Sequence, residues 1–165
     1  IARYAGCALM DAVTVKPCDI SIISGQKCME YRRNKTDVTA TIPLLGPLTG
    51  ILQPSPSNAP FCSALCNQSA SALSNRFAWI MDKAGFDTKE TILPNGRKQR
   101  SITFHSLRHR FVTWLSEIGV PKDIRKMLAG HTSDSAHDTY DHATVANVMP
   151  RLFSAIAQQS PRPEL

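Results

Sequence analysis

Phe104-His105-Ser106-Leu107-Arg108-His109-Arg110-Phe111 is the stretch whose reading decides the fold. Placed on a helix, Leu107, Phe111, Trp114, Leu115 and Ile118 form one apolar face, because residues three and four apart lie above one another. His105 and Arg108, three apart, fall together on the flank of that face. The pattern therefore presents an imidazole and a guanidinium side by side at the edge of a core. Three readings of the pair stay open at this point: a solvated basic face, a histidine satisfied within the core, or a metal pair made by His105 and His109 at i and i+4. No Glu follows His105, as the zinc-protease pattern would need.

Working outward, Gly119-Val120-Pro121 and Gly130-His131-Thr132 divide the last third into helices expected over 105–118, 121–129 and 134–141, with a further helix after Pro150. Upstream, Leu73, Phe77, Ile80 and Met81 recur at helical spacing, which predicts an amphipathic helix over 69–83 stopped by Gly85. Pro94-Asn95-Gly96-Arg97-Lys98 between these helices reads as a polar loop. Pro43, Pro47, Pro54, Pro56 and Pro60 leave room only for a short helix around 48–52. Ile20 to Gly25, Cys28 to Arg33 and Val38 to Ile42 are extended in pattern, the last two flanking Asn34-Lys35-Thr36-Asp37, and predict a three-stranded antiparallel sheet. Residues 1–16 read as one helix, with Tyr4, Ala8, Ala12 and Val15 at helical spacing and Lys16-Pro17 ending it. The expected class is mixed and mainly α-helical (α+β), a single domain over 1–165.

A chain of 165 residues buries enough surface for an ordinary packed core without disulfides or a structural metal. Asp11 and Lys16 interrupt the most apolar stretch, so no run reaches the ~18 apolar residues of a membrane helix. Cys7, Cys18, Cys28, Cys62 and Cys66 are odd in number and sparse, which fits reduced thiols in a cytoplasm. Cys62 and Cys66 have a spacing that suits a metal, but no second pair accompanies them, and buried thiols are the preferred reading. The charge of +6 favours a polyanionic partner without deciding it. The start at Ile1 is expected to be that of a fragment.

Leu128-Ala129-Gly130-His131 and then Tyr140 follow Arg108, and Lys35-Thr36 precedes it between two strands. Taken together with His105-x-x-Arg108, this resembles the tyrosine recombinase (phage integrase) family. Members read roughly Tyr-x-Gly-x-Arg, Lys-Thr in a β-turn, His-x-Leu-Arg-His, Leu-Gly-His and a helix-borne Tyr. The resemblance implies that Tyr140 attacks a DNA phosphodiester to give a 3′-phosphotyrosyl enzyme, with no metal, nucleotide or other cofactor. Arg108 would hold the nonbridging oxygens, His131 would donate one more hydrogen bond, and Lys35 would protonate the leaving 5′-oxygen, Lys27 being its nearest competitor. His105 would assist proton transfer around Tyr140 or orient the phosphate.

Tyr4-Ala5-Gly6 sets the register of the first motif and puts Ala8 where the family has its first arginine. Arg3 is a poor substitute, since five residues turn it about 140° away on a continuous helix. An introduced substitution and a natural loss of activity both fit. The resemblance further implies a double-stranded DNA partner, assembly as a homotetramer on DNA, an N-terminal DNA-clamping domain absent from this chain, and a cytoplasmic, prokaryotic or phage-associated setting. Arg32, Arg33, Arg97, Lys98, Arg100, Arg110, Arg125 and Lys126 are candidates for backbone phosphates, ordinary solvated charge being the alternative for each. Val145, Val148, Leu152, Phe153 and Ile156 form an apolar stripe that either docks on a neighbouring copy or packs in cis. Two other classes remain: a non-catalytic DNA-binding module of the same fold, and a histidine metal enzyme built from His105, His109 and His131 or His137.

Overall fold

The computed structural model describes residues 1–23, 25–32, 39–129, 148 and 150–155. The opening segment is two helices rather than one, α1 (Ala2–Ala5) and α2 (Leu9–Thr14). Gly6 ends α1 with φ 64°, its N–H bonded to the Ala2 carbonyl at 2.9 Å. Ala8 restarts the chain in an extended conformation as the N-cap of α2. Helical spacing alone joined what glycine separates, because only a residue without a Cβ adopts this turn freely. Pro17–Asp19 forms a single 3-10 turn, closed by the Lys16 N–H on the Asp19 carboxylate at 2.8 Å.

The three expected strands form as β1 (Ile20–Ile23), β2 (Gln26–Arg32) and β3 (Thr39–Pro43), antiparallel in the order β1-β2-β3. Ile20 pairs with Met29 and Met29 with Ile42, so one row of apolar side chains is buried on the same face. Arg32 pairs with Thr39, and Lys35 lies between them in sequence, outside the described residues. The short α3 (Leu48–Ile51) matches expectation. Lys27 is committed there, its Nζ donating to the Thr49 carbonyl at 3.1 Å and to Gln53 Oε1 at 2.7 Å.

Helix α4 (Ala70–Lys83) begins where Ser69 Oγ accepts the Ala72 N–H at 3.2 Å, and Gly85 follows its end at φ 81°. The segment read as a polar loop is a hairpin of β4 (Glu90–Ile92) and β5 (Lys98–Arg100), turned by Gly96 at φ 75° with its N–H on the Leu93 carbonyl at 2.8 Å. Its strands escaped the pattern because β4 has no buried residue, hence no alternation. Helix α5 (Phe104–Glu117) starts with the Thr103 N–H on Ser106 Oγ at 3.1 Å, and α6 (Lys122–Ala129) follows Val120-Pro121. The helix expected over 134–141 lies outside the described residues. Residues 150–155 are helical, as expected after Pro150, but Val148 before the proline is helical too, so Pro150 is not where the helical residues begin.

Two apolar clusters hold these elements. One gathers Ala5, Cys7, Val15, Met29, Ile42 and Leu44; the other gathers Phe111, Leu115, Ile118, Ile124, Leu128 and Leu152. Leu152 is fully buried in the second cluster with Val148 and Phe153 packed beside it, so these three members of the apolar stripe pack in cis, while Val145 and Ile156 lie outside the described residues. No helix among the described residues is long and apolar enough to cross a membrane.

Candidate active site

Arg108 is charged and only 8% exposed, because α5 turns the side chain inward between α1 and the end of α6. Burying a guanidinium is costly unless its N–H groups find acceptors. The two terminal nitrogens find them: Nη1 donates to the Gly6 carbonyl at 3.1 Å, and Nη2 donates to the Ala129 carbonyl. Those two acceptors belong to the Tyr4-Ala5-Gly6 turn and to Leu128-Ala129-Gly130-His131. The arginine thus ties together three segments that the sequence picked out separately. Sequence reading missed both acceptors, since a backbone carbonyl leaves no trace in residue type.

His105 stands one turn before Arg108 but does not share its burial. It is exposed, and its ring meets His109 edge-on at 4.5 Å between centroids and 84° between planes. The side-by-side placement of His105 and Arg108 therefore holds for the helix face and not for depth. Partial desolvation of the ring, and then the neighbouring His109 and Arg108 charges, lower the His105 pKa below the ordinary imidazole value. Ala8 is exposed, two residues past the Gly6 carbonyl that holds Arg108. Arg3, the other arginine near this turn, lies over the Tyr4 ring, 5.5 Å from its centroid. Lys35, His131 and Tyr140 lie outside the described residues, as does Arg33.

The sequence profile of the phage integrase family matches residues 27–147. The chain belongs to this family. Its members are tyrosine recombinases, which cleave and rejoin DNA. The matched stretch contains Lys35, His105, Arg108, His131 and Tyr140; Gly6 and Ala8 precede it. Solved structures share the fold. The integrase from mycobacterium phage Brujita is 21% identical over 92% of this chain and 48% of its own, with a TM-score of 0.54. The XerH site-specific recombinase bound to palindromic difH substrate, in a post-cleavage complex, is 18% identical over 95% of this chain and 43% of its own, with a TM-score of 0.55. The same recombinase in a pre-cleavage complex with difH substrate is 18% identical, covering 95% of this chain and 42% of its own, with a TM-score of 0.53. The chain spans less than half the length of each. No curated protein matches it.

The basic residues of this integrase-family domain are not equally available. Arg32 and Arg97 are exposed. Lys98 and Arg100 share the Glu90 carboxylate, and Arg100 Nη1 also donates to Asn75 Oδ1 at 3.3 Å. Arg110 Nη1 lies 2.9 Å from Glu117 Oε1. Lys126 is exposed on α6, while Arg125 is half-buried beside it with its Nε out of solvent. Lys98, Arg100 and Glu90 border a cleft of about 280 Å³ with Ser74 and Thr103, next to the start of α5. Glu90 was overlooked in the sequence, although Asn95-Gly96 between two short polar runs signals the hairpin that places it opposite Arg100.

Among the described residues no group of three or more His, Cys, Asp and Glu side chains is placed to hold a metal. The histidine-metal reading keeps His105 and His109 as a pair; His131 and His137 lie outside the described residues. Cys62 and Cys66 are half-buried, in a turn where Cys66 Sγ donates to the Ser63 carbonyl at 3.2 Å, rather than fully buried as expected. Cys7 and Cys28 are the buried thiols, and burial first, then the Glu30 charge, pushes the Cys28 pKa up to about 11.

Proposed function

We propose that this chain is the catalytic domain of a site-specific DNA recombinase, working through a 3′-phosphotyrosine on Tyr140, and that Ala8 slows it. The observation that carries the proposal is Arg108, buried and held by carbonyls from the two motif segments on either side of it. A guanidinium fixed in this way is suited to a phosphate, whose oxygens match its planar fork. In the proposed step the Tyr140 oxygen forms a bond to phosphorus as the bond from phosphorus to the 5′-oxygen breaks. Lys35 gives its proton to the leaving oxygen, and His105 handles the proton released by Tyr140. The phosphotyrosyl bond keeps the energy of the one broken, so a second strand's 5′-hydroxyl reverses the step without a nucleotide or metal. Arg108 and His131 stabilise charge on the nonbridging oxygens.

Losing one transition-state donor costs about 10²–10³-fold in rate. Ala8→Arg should therefore raise the yield of SDS-resistant protein–DNA adduct on nicked duplex, and Tyr140→Phe should abolish it. No gain from Ala8→Arg, with Tyr140→Phe indistinguishable from the unaltered chain, removes the catalytic assignment. The proposed partner is duplex DNA, with a homotetramer as the working assembly and a prokaryotic or phage-associated cytoplasm as the setting. A second reading, a DNA-binding module that has lost catalysis, is favoured by one observation: Ala8 supplies no guanidinium and Arg3 is turned onto Tyr4. Under that reading binding depends on salt and no variant forms an adduct.

A further inference from the structure

We propose that Gly6 is a positioning residue for Arg108: its left-handed backbone aims a carbonyl at the guanidinium, and its missing Cβ lets α5 come close enough for the bond. The effect on catalysis rests on the reading of Arg108 as the phosphate-holding residue; the placement of Arg108 does not. Gly6 is buried with φ 64° and ψ 18°, a region that side chains rarely adopt. A Cβ built on it would stand 2.5 Å from Phe111 Cδ1 and 3.0 Å from Cε1. Phe111 is 1% exposed and packed among Leu115, Ile118 and Leu128, so the ring has nowhere to move.

Phe111 and Arg108 are three apart on α5 and share a face. The residue that fixes the gap to the turn and the residue that bonds across it therefore move together. Any substitution that pushes the turn off Phe111 also draws the Gly6 oxygen away from Nη1, now at 3.1 Å. The Ala129 carbonyl holds Nη2 from the other side. With both terminal nitrogens held, the guanidinium plane cannot rotate, and a fixed plane is what two parallel bonds to a phosphate require. Without Gly6 the hold on Nη1 is lost, and rotation about the Nε–Cζ bond becomes easier.

The test uses the full chain labelled with ¹⁵N. In the unaltered protein Arg108 should give separate Nη signals, the mark of a guanidinium that does not rotate. Gly6→Ala should merge them, and Phe111→Leu, which keeps the glycine, should not. Averaged signals in the unaltered protein, or separate ones in Gly6→Ala, overturn the proposal. Should Gly6→Ala not fold, a coupling through the hydrogen bond from a ¹³C-labelled Gly6 carbonyl to Arg108 Nη decides: its presence supports the proposal and its absence overturns it.

In adduct assays Gly6→Ala, introduced beside Ala8→Arg, should slow formation at saturating DNA by about tenfold or more while the half-saturating concentration stays within about twofold. An equal rate in a folded Gly6→Ala protein overturns the positioning role. If every variant is silent while the Nη signals merge as expected, the recombinase reading fails and the placement of Arg108 by Gly6 stands.

Discussion

Glu90 faces Arg100 across the β4–β5 ladder and holds Lys98 as well: Oε1 accepts from Lys98 Nζ at 2.7 Å, and Oε2 lies 3.5 Å from Arg100 Nε. The bond from Lys98 is the main reason that the Glu90 carboxyl has a lowered pKa. Two of the cations that are candidates for DNA phosphates thus already share a carboxylate. If this hairpin meets DNA, Glu90→Gln frees both for phosphates. Binding titrated against salt should then steepen, the log–log slope growing by about 0.9 for each further phosphate neutralised. The slope should return to its original value when Lys98 and Arg100 are also changed to Ala. A slope unaltered by Glu90→Gln places the hairpin away from the DNA.

Arg108→Ala strands the Gly6 and Ala129 carbonyls in a buried place. Each unsatisfied acceptor costs about 1–3 kcal/mol, so urea unfolding should show a loss of that order even without DNA. Arg108→Lys keeps the charge but cannot reach two acceptors in one plane, and should recover only part of the loss.

The lowered pKa of His105 makes a signed prediction about acid. A base that binds its proton less well when folded adds nothing above the range where the unfolded imidazole titrates, near about 6.5. As pH falls through that range the unfolded chain takes up the proton first, so stability declines, levelling once folded His105 is protonated too. Stability measured against pH should lose this slope in His105→Gln. An NMR titration should find the His105 midpoint below that of a free histidine peptide, and His109→Gln should raise it.

Leu152 is fully buried against the cluster around Phe111 and Leu115. Leu152→Ala should cost about 2–5 kcal/mol in urea unfolding, independent of protein concentration. A cost that appears only at concentrations where copies associate would instead mean that the segment's packing belongs to an assembly.

Elements with a buried stripe were legible in the sequence: Leu73 marked α4, Phe111 and Leu115 marked α5, and the rows through Met29 and Ile42 marked the sheet. The break at Gly6 was not, because the helical spacing runs through it and the Phe111 ring that leaves no room for a Cβ there lies far along the chain. The β4–β5 hairpin was missed because residues such as Glu90 and Arg100 bury no face and leave no period. At the site, Arg108 stood out by its spacing from His105, but its burial depends on two main-chain oxygens that no residue type announces. The unequal standing of the surface cations was hidden for a related reason. A carboxylate is visible in a sequence, and its partner across a ladder is visible only once the strand register is known.

The Arg108–Gly6 bond joins positions 102 residues apart, and the Arg108–Ala129 bond joins positions 21 apart. The nearer contact closes a short loop and the farther one a long loop, so loop-closure entropy favours forming the nearer one first. On a ribosome Gly6 emerges long before its partner is made. A half-made or locally unravelled chain therefore carries the arginine without its aim. If Arg108 holds the phosphate as proposed, completion of the fold and arming of the site become one event, a useful property in a protein whose relatives cut DNA.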